Sequence, residues 1–399
     1  MRLTFSVGLL ALALTPMAGA QGLTEGEFLS AFDGEGAAVR ALHEGLVRAE
    51  AARRRAGLLE NPRADFWREQ PDANPRVTNW TLSWTPPLDG RYGLGKKSAD
   101  AGLAAARERL AADKAGLRRE LRAAFASWSL AFERRDVLKD QLERVRRLAE
   151  VERQRARTGE ESGLSARRFT LAESEVNAAL AVAEASLARA EALARAWRPD
   201  LAADVVPAAA AVPEPPAALD PAASPELRAV ALEAEQAQLE RKRIGRFLGF
   251  PTLQFGWQQI DEPAAARSGP IFAAGWTIPL FDRDQGGRIE AAGREEVARA
   301  RVELARVRVT AEVEGSAAAF RGLSAATRDA ARTSADADRV ITAATAAFRA
   351  GEASLTDLLD SLRAAVGARV GEIELRGQAL EAHRDLEASL GRPLAGGGF

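Results

Sequence analysis

The chain contains no cysteine. A chain without thiols has no disulfide framework, no thiolate metal site and no cysteine to carry a lipid anchor. Histidine is nearly absent too. His43 and His383 stand far apart, so neither joins a histidine-based metal or catalytic cluster, and each reads as a solvated helix residue. No glycine-rich phosphate loop precedes a helix. These absences leave no catalytic constellation, no metal site and no cofactor, so an enzyme is not expected. Beyond residue 20 no stretch approaches 18 consecutive apolar residues, which excludes a transmembrane helix; a chain of this kind that crosses a bilayer must use strands. Nor does one sign of charge prevail. The 55 Lys and Arg residues meet 56 Asp and Glu residues, a mixture that suits long solvated helices and makes nucleic acid an unexpected partner.

What is present begins with an export signal over residues 1–20. Arg2 gives the positive start, Phe5 to Leu14 a short apolar run, and Ala18-Gly19-Ala20 an A-x-A cleavage pattern that leaves Gln21 first. The run is too short to span a bilayer as a helix. The alternative is a short hydrophobic N-terminal helix.

An internal duplication organises the rest. Trp84-Thr85-Pro86-Pro87-Leu88 returns 192 residues later as Trp276-Thr277-Ile278-Pro279-Leu280. On the same offset Trp128 meets Phe320, and Arg157-Thr158-Gly159-Glu160 meets Arg349-Ala350-Gly351-Glu352. A register kept this long marks duplicated architecture. The repeats are read as 21–199 and 225–393, joined by a Pro/Ala-rich linker over 200–224 and followed by a tail over 394–399.

Each repeat reads as helix, two strands and a long helical hairpin. Ser224 and Pro225 open a helix running to about Phe247, with Ser224 as N-cap and Pro at the first position. Pro251 to Ile260 then alternates, with Leu253, Phe255 and Trp257 on one face and Thr252, Gln254 and Gln258 on the other. After a turn at 261–270, Ile271 to Leu280 places Phe272, Trp276 and Ile278 on one face. The first repeat shows this best at Trp80, Leu82 and Trp84, with a weaker partner strand near Ala64 to Trp67. Strands of about ten residues with one apolar and one polar face fit a transmembrane barrel. An amphipathic hairpin packed on a soluble core has the same pattern. Four strands cannot close a barrel, so the barrel reading requires several copies.

The helical part is more extended. From Ser98 to Arg157 there is no proline, and Leu103, Leu110, Leu117, Leu121, Phe125 and Trp128 recur at helical spacing. Ile289 to Phe348 carries two seams, one of Val297, Leu304 and Ala311 and one of Val302 and Val309. Two seams let a helix touch neighbours on both sides, as a cylindrical wall requires; a plain antiparallel coiled coil is the alternative. Such a helix is about 90 Å long. Two stacked shorter helices, Thr24 to Glu60 and Gly163 to Trp197, together match that length.

This order of elements is similar to that of the outer-membrane efflux proteins of the TolC type. Ile278-Pro279-Leu280-Phe281-Asp282 running into a long helix, and Phe348-Arg349-Ala350-Gly351-Glu352-Ala353-Ser354-Leu355-Thr356-Asp357-Leu358-Leu359-Asp360, carry the resemblance. It implies a mainly α fold with a small transmembrane β part, in which duplicated helical hairpins form an α-barrel. Four strands per protomer then contribute to a 12-stranded, trimeric outer-membrane β-barrel. It further implies a passive efflux duct in the outer membrane with a long periplasmic extension. The partners implied are the homotrimer, a periplasmic adaptor, an inner-membrane pump of the RND or ABC type, and outer-membrane lipid. Asp282-Arg283-Asp284-Gln285-Gly286 resembles the heavy-metal and cation-export branch.

The same resemblance assigns roles. Gly159, Glu160, Gly351, Glu352, Ser354, Leu355 and Thr356 are expected at adaptor-docking tips. Asp357 and Asp360, one helical turn apart, are expected to form acidic rings at a periplasmic gate that favours cations. A solvated helix start has the same appearance. The first repeat has Ser165 where an aspartate would match, with Arg167 and Arg168 beyond it, so either arginine is a candidate partner for Asp357. Trp80, Leu82, Trp84, Leu253, Phe255, Trp257, Phe272, Trp276 and Ile278 are expected to face lipid. The competing readings are a periplasmic adaptor, which carries one hairpin among β-rich domains, and a coiled-coil scaffold without a channel.

Overall fold

The computed structural model describes residues 22–32, 37–70, 75–87, 89–158, 163–244, 251–262, 265–278 and 280–394. The expected signal segment lies outside them, as do Gly159, Glu160 and Phe247. In chain order the elements are helices α1 (Glu25–Ser30), α2 (Ala37–Leu42) and α3 (Glu44–Ala56), strands β1 (Arg63–Glu69) and β2 (Arg76–Trp84), and helices α4 (Arg91–Thr158) and α5 (Gly163–Trp197). A short 3-10 turn at Pro221–Ala223 leads into α6 (Pro225–Ile244), β3 (Thr252–Asp261), β4 (Ala266–Gly275), α7 (Gln285–Arg349) and α8 (Leu355–Leu390). The starts of α5 and α8 stand 192 residues apart, the spacing of the sequence motifs. Among the described residues no helix is long and apolar enough to cross a membrane.

The chain divides into two units. The first takes residues up to Ser30, Ala124–Ala211 and Thr333–Glu374. Its core is a cluster of Val145, Leu148, Phe169, Ile341, Leu358 and Leu362, with Phe169 edge-on to Phe348 at 6.4 Å. A second patch of Leu138, Leu142, Leu180 and Ala183 continues the same apolar stripes of α4 and α5. Arginine lacing joins the four helix segments: Arg146 to Glu173 at 3.0 Å, Arg144 to Asp338 at 3.2 Å, and Arg134 to Glu374 at 2.9 Å. The short α1 is held by its own capping box, Thr24 with Glu27, and by Phe28, fully buried against Phe125 at 5.6 Å.

The second unit takes Ala31–Ala123, Val212–Arg332 and Leu375 onward. It holds one antiparallel sheet in the order β1-β2-β3-β4 and a core of Val309, Val313, Phe320, Leu386 and Leu390. Helix α6 is tied to α4 by Ser98 Oγ donating to Glu240 at 2.8 Å, and to α7 by Arg241 donating to the buried Glu295 at 2.8 Å. The Arg241 and Arg299 guanidiniums beside Glu295 hold its carboxyl below the usual range, the Arg241 hydrogen bond being the larger cause.

Several expectations are corrected here. The segment 24–60 carries three helices and not one: α1 ends at Ser30, and α2 and α3 part at His43. Strand β4 lies five residues earlier than the alternation suggested, at 266–275, and Pro270 is inside it, which an edge strand tolerates. Ser224 does not cap α6 through its side chain: its Oγ is buried without a hydrogen-bond partner, and only its carbonyl takes the first helical bond from Arg228 N at 3.1 Å. His383 is 1% exposed, not solvated, because it sits against Phe320 at 4.9 Å and beside Glu387. His43 is half-buried, with Nδ1 2.8 Å from the Val39 carbonyl. The Pro/Ala-rich segment is packed. In the first unit Ser129 Oγ donates to the Ala208 carbonyl at 2.7 Å and accepts from Ala210 N at 3.1 Å. In the second unit Val212 and Leu219 lie on the core.

Candidate membrane face and helical tip

Strand alternation sorts the sheet into two faces. Phe66, Trp80, Trp257 and Pro270 form one cross-strand row; Ala64, Leu82, Phe255 and Phe272 form the next; Trp84, Leu253 and Ala274 form a third. All eleven lie on the same face. Ring contacts stitch it together, Phe66 to Trp80 at 4.4 Å and Phe255 to Phe272 at 5.3 Å. Trp80, Leu82, Leu253, Phe255, Trp257 and Phe272 are exposed, and Trp84 is half-buried with its indole N–H donating to the Glu60 carbonyl. The face turns polar at the row of Arg68, Thr78, Gln259 and Ser268. The opposite face carries Asn79, Thr81, Ser83, Gln254 and Gln258, with Trp67, Val77, Ile260 and Ile271 as its large apolar exceptions. Exposed large apolar residues on one side and hydrogen-bonding groups on the other fit lipid and water respectively.

Two more features belong to this unit. Trp276 and Ile278, expected on β4, follow it as exposed residues outside the strand, and Leu280 and Phe281 after them are exposed too, Phe281 by 90%. The seam of Val302 and Val309 turns inward, Val309 being buried, while Val297 and Leu304 of the other seam are exposed. The Asp282 to Gln285 stretch is occupied with its own turn: Asp284 N donates to Asp282 Oδ1 and Arg283 N to Gln285 Oε1, both at 2.9 Å. Among the described residues no cluster of three or more His, Cys, Asp or Glu could hold a metal ion.

The helical tip belongs to the first unit. Helix α7 closes on Gly351 at φ +78°, with Gly351 N donating to the Phe348 carbonyl at 3.1 Å and Glu352 N to the Ala347 carbonyl at 2.9 Å. That is the paired hydrogen bonding of a Schellman turn, and its left-handed residue favours glycine. Ser354 then caps α8. Its Oγ accepts from Asp357 N at 3.2 Å, while the Asp357 carboxylate accepts from Ser354 N at 3.0 Å and Ser354 Oγ at 2.6 Å. These hydrogen bonds, the Ser354 hydroxyl first, hold the Asp357 carboxyl below the usual range. The motif S-x-x-D before an apolar run announces such a box in the sequence.

The remaining tip residues divide between packing and surface. Leu355 packs on the core of the first unit, and Glu352, Ser354 and Thr356 are exposed. The expected pairing of an arginine with Asp357 is not formed. Arg168 instead donates to Thr356 Oγ1 at 3.0 Å, since Asp357 is already engaged with its own cap, and Arg167 is exposed. Asp360 is exposed and lies 3.7 Å from Arg363, whose closer partner is Glu175 at 2.8 Å. The Glu175 and Asp360 charges raise the Arg363 guanidinium above its ordinary value, Glu175 chiefly.

Paired long helical hairpins with a four-stranded antiparallel sheet make up the fold of the outer-membrane channels that join an α-barrel to a β-barrel. Solved structures show the same fold. CusC, described for its folding and transmembrane channel formation, superposes at a TM-score of 0.74 and 16% identity over 92% of this chain and 91% of that chain. The open-state MtrE channel of Neisseria gonorrhoeae gives 0.73 and 17% over 93% and 89%, and the outer membrane protein VceC of Vibrio cholerae gives 0.72 and 16% over 92% and 95%. No curated protein sequence matches the chain. Residues 221–392 match the model of the outer membrane efflux protein family. The resemblance read from the sequence is shown by that match, and the family is one of channels and not of enzymes.

Proposed function

We propose that the chain is the outer-membrane duct of a tripartite efflux system, giving a passive exit to substrates handed on by an inner-membrane pump and a periplasmic adaptor. Three copies pool twelve strands into one barrel in the outer membrane, and the helices continue it as a periplasmic tunnel. The observation that carries this is the sheet: four strands with an exposed aromatic face and a polar reverse, ending in two unpaired edges. Open edges are not tolerated in lipid, so the strands must be pooled between copies. The exposed seam of Val297 and Leu304 supports the same assembly along the helices.

Within this reading Gly351, Glu352, Ser354 and Thr356 present the adaptor-docking surface, together with Gly159 and Glu160. Asp357 and Asp360 form the acidic entrance, flanked by Arg167 and Arg168. An acidic entrance and the Asp282 stretch favour cationic cargo. Reconstitution in planar bilayers tests the function. Steady, cation-preferring conductance from a detergent-extracted oligomer is the expected result. A protein that stays monomeric and dissolves without detergent overturns it.

A further inference from the structure

We infer that strand β4 of one copy joins β1 of the next in a defined register, with Ala274 opposite Phe66 of the partner subunit and Trp276 opposite Ala64 of the partner subunit. This rests on the pooled-barrel reading and goes beyond it by fixing which residues meet. The two hairpins are equivalent: the cross-strand ring pair Phe66 with Trp80 recurs as Phe255 with Phe272. First-strand residues therefore correspond at a spacing of 189 and second-strand residues at 192, the latter being the spacing of Trp84 and Trp276. The chain also contains one join between hairpins, β2 to β3, where Leu82 faces Phe255 and Trp84 faces Leu253. Translating that join by the two spacings gives the register stated, and Trp80 opposite Trp257 becomes Phe272 opposite Arg68 of the partner subunit. A ring of copies related by rotation closes through one repeated head-to-tail contact, and the internal join is the chain's own copy of it.

Three observations support the translation. Trp84, Thr85 and Pro86 are covered, Thr85 Oγ1 standing 2.8 Å from Thr252 Oγ1, whereas their counterparts Trp276, Thr277 and Ile278 are exposed. The second set lacks the neighbour that β3 provides to the first. The register also sets β1 against residues 271–277. Pro270, which has no N–H to give, then falls just outside the new ladder, and Trp276 and Thr277, which have no partner among the described residues of their own chain's sheet, fall inside it. That explains why the apolar alternation of Phe272, Trp276 and Ile278 runs past the end of β4. On the polar face small again meets large: Gly256 faces Thr81 inside the chain, and Ala273 faces Trp67 of the partner subunit in the join.

The natural absence of cysteine makes the test clean. Directly opposed antiparallel residues have Cα atoms about 4.5–5.5 Å apart, within disulfide reach, and residues two along stand about 7–8 Å away. The full chain, extracted in detergent, is made with Ala274→Cys plus Phe66→Cys and, separately, Trp276→Cys plus Ala64→Cys. Mild oxidation should give covalent trimers from both, at least about tenfold faster than from Ala274→Cys plus Ala64→Cys or Ala274→Cys plus Arg68→Cys. Faster linkage by either displaced pair overturns the register. So does the failure of all four pairs in a protein that native mass measurement shows to be trimeric, and the channel reading then survives. A monomer in that measurement overturns both.

Discussion

Asp357 is bound to the residue that begins its own helix: its carboxylate accepts from both the amide and the hydroxyl of Ser354. A group proposed to guard a pore therefore also holds α8 in place, and the two roles separate by substitution. Asp357→Asn keeps an oxygen for the Ser354 donors and removes the charge, whereas Ser354→Ala removes the N-cap at about 1 kcal/mol and leaves the charge. If the acidic entrance operates, Asp357→Asn with Asp360→Asn lowers cation preference in reversal-potential measurements and Ser354→Ala does not. The sign with pH follows from the depressed carboxyl. Its stabilising contribution is complete above the ordinary aspartate value of 3.8 and is lost as pH falls through the lower folded value. The tip should thus keep one stability from pH 5 to 8, read by thermal unfolding.

Arg122 and Glu387 form a buried ion pair in the second unit, with side chains 13% and 5% exposed, and Glu387 Oε1 also accepts from Leu394 N at 2.8 Å. Removing one partner strands a charge away from water. Arg122→Ala should therefore cost about 3 kcal/mol or more, while Arg122→Met with Glu387→Leu recovers most of the loss. Denaturant unfolding of the three proteins decides it. Equal stability of the single and double variants contradicts the assignment.

How far the sequence foretold this molecule depends on what each signal reports. The long helices were legible because Ala, Leu, Arg and Glu run without proline, and α5 begins and ends where the pattern set it, at Gly163 and Trp197. Helix formers carried the reading of residues 24–60 too far, past Ser30 and across His43. The limits of β4 are not legible in the sequence for a different reason. Alternation reports which side of a chain meets an apolar surround, whereas strand limits follow hydrogen bonding, and these part company at Gly275. The burial of His383 had no local signal beyond Glu387 one turn on; Phe320 reaches it from 63 residues away. At the tip the sequence named Asp357 but not its partner, since a cap and an acidic ring ask for the same residue at the same place.

Leu304 is 68% exposed on α7, one turn and more from the buried Val309. If its seam meets another copy, Leu304→Glu should leave the fold of each chain unchanged while weakening assembly. Circular dichroism should show undiminished helix, and light scattering in detergent should show a shift from trimer towards monomer. A variant that assembles as fully as the parent removes this seam from the interface.

Gly256 sits in β3 where the neighbouring strand comes close. A Cβ placed there would run into the Trp80 carbonyl oxygen and lie 2.8 Å from Thr81 Cγ2. Neither can withdraw freely, since Trp80 and Thr81 are paired with β3 on one side and with Phe66 and Asp65 on the other. Gly256→Ala should therefore force β2 and β3 apart at about 1–3 kcal/mol, typical of overpacking. Because this join lies within one chain, the cost falls on the sheet itself and is multiplied by the number of copies in a barrel. The expected outcome is a heat-labile assembly whose helices persist: the oligomer on a semi-native gel dissociates at lower temperature, and the far-ultraviolet signal of the helices is retained. Gly269→Ala, in β4 but outside residues 271–277 and where a Cβ would meet nothing within 4 Å, is the control and should leave the oligomer intact. Equal behaviour of the two variants would mean that the close approach at Gly256 does not constrain the sheet.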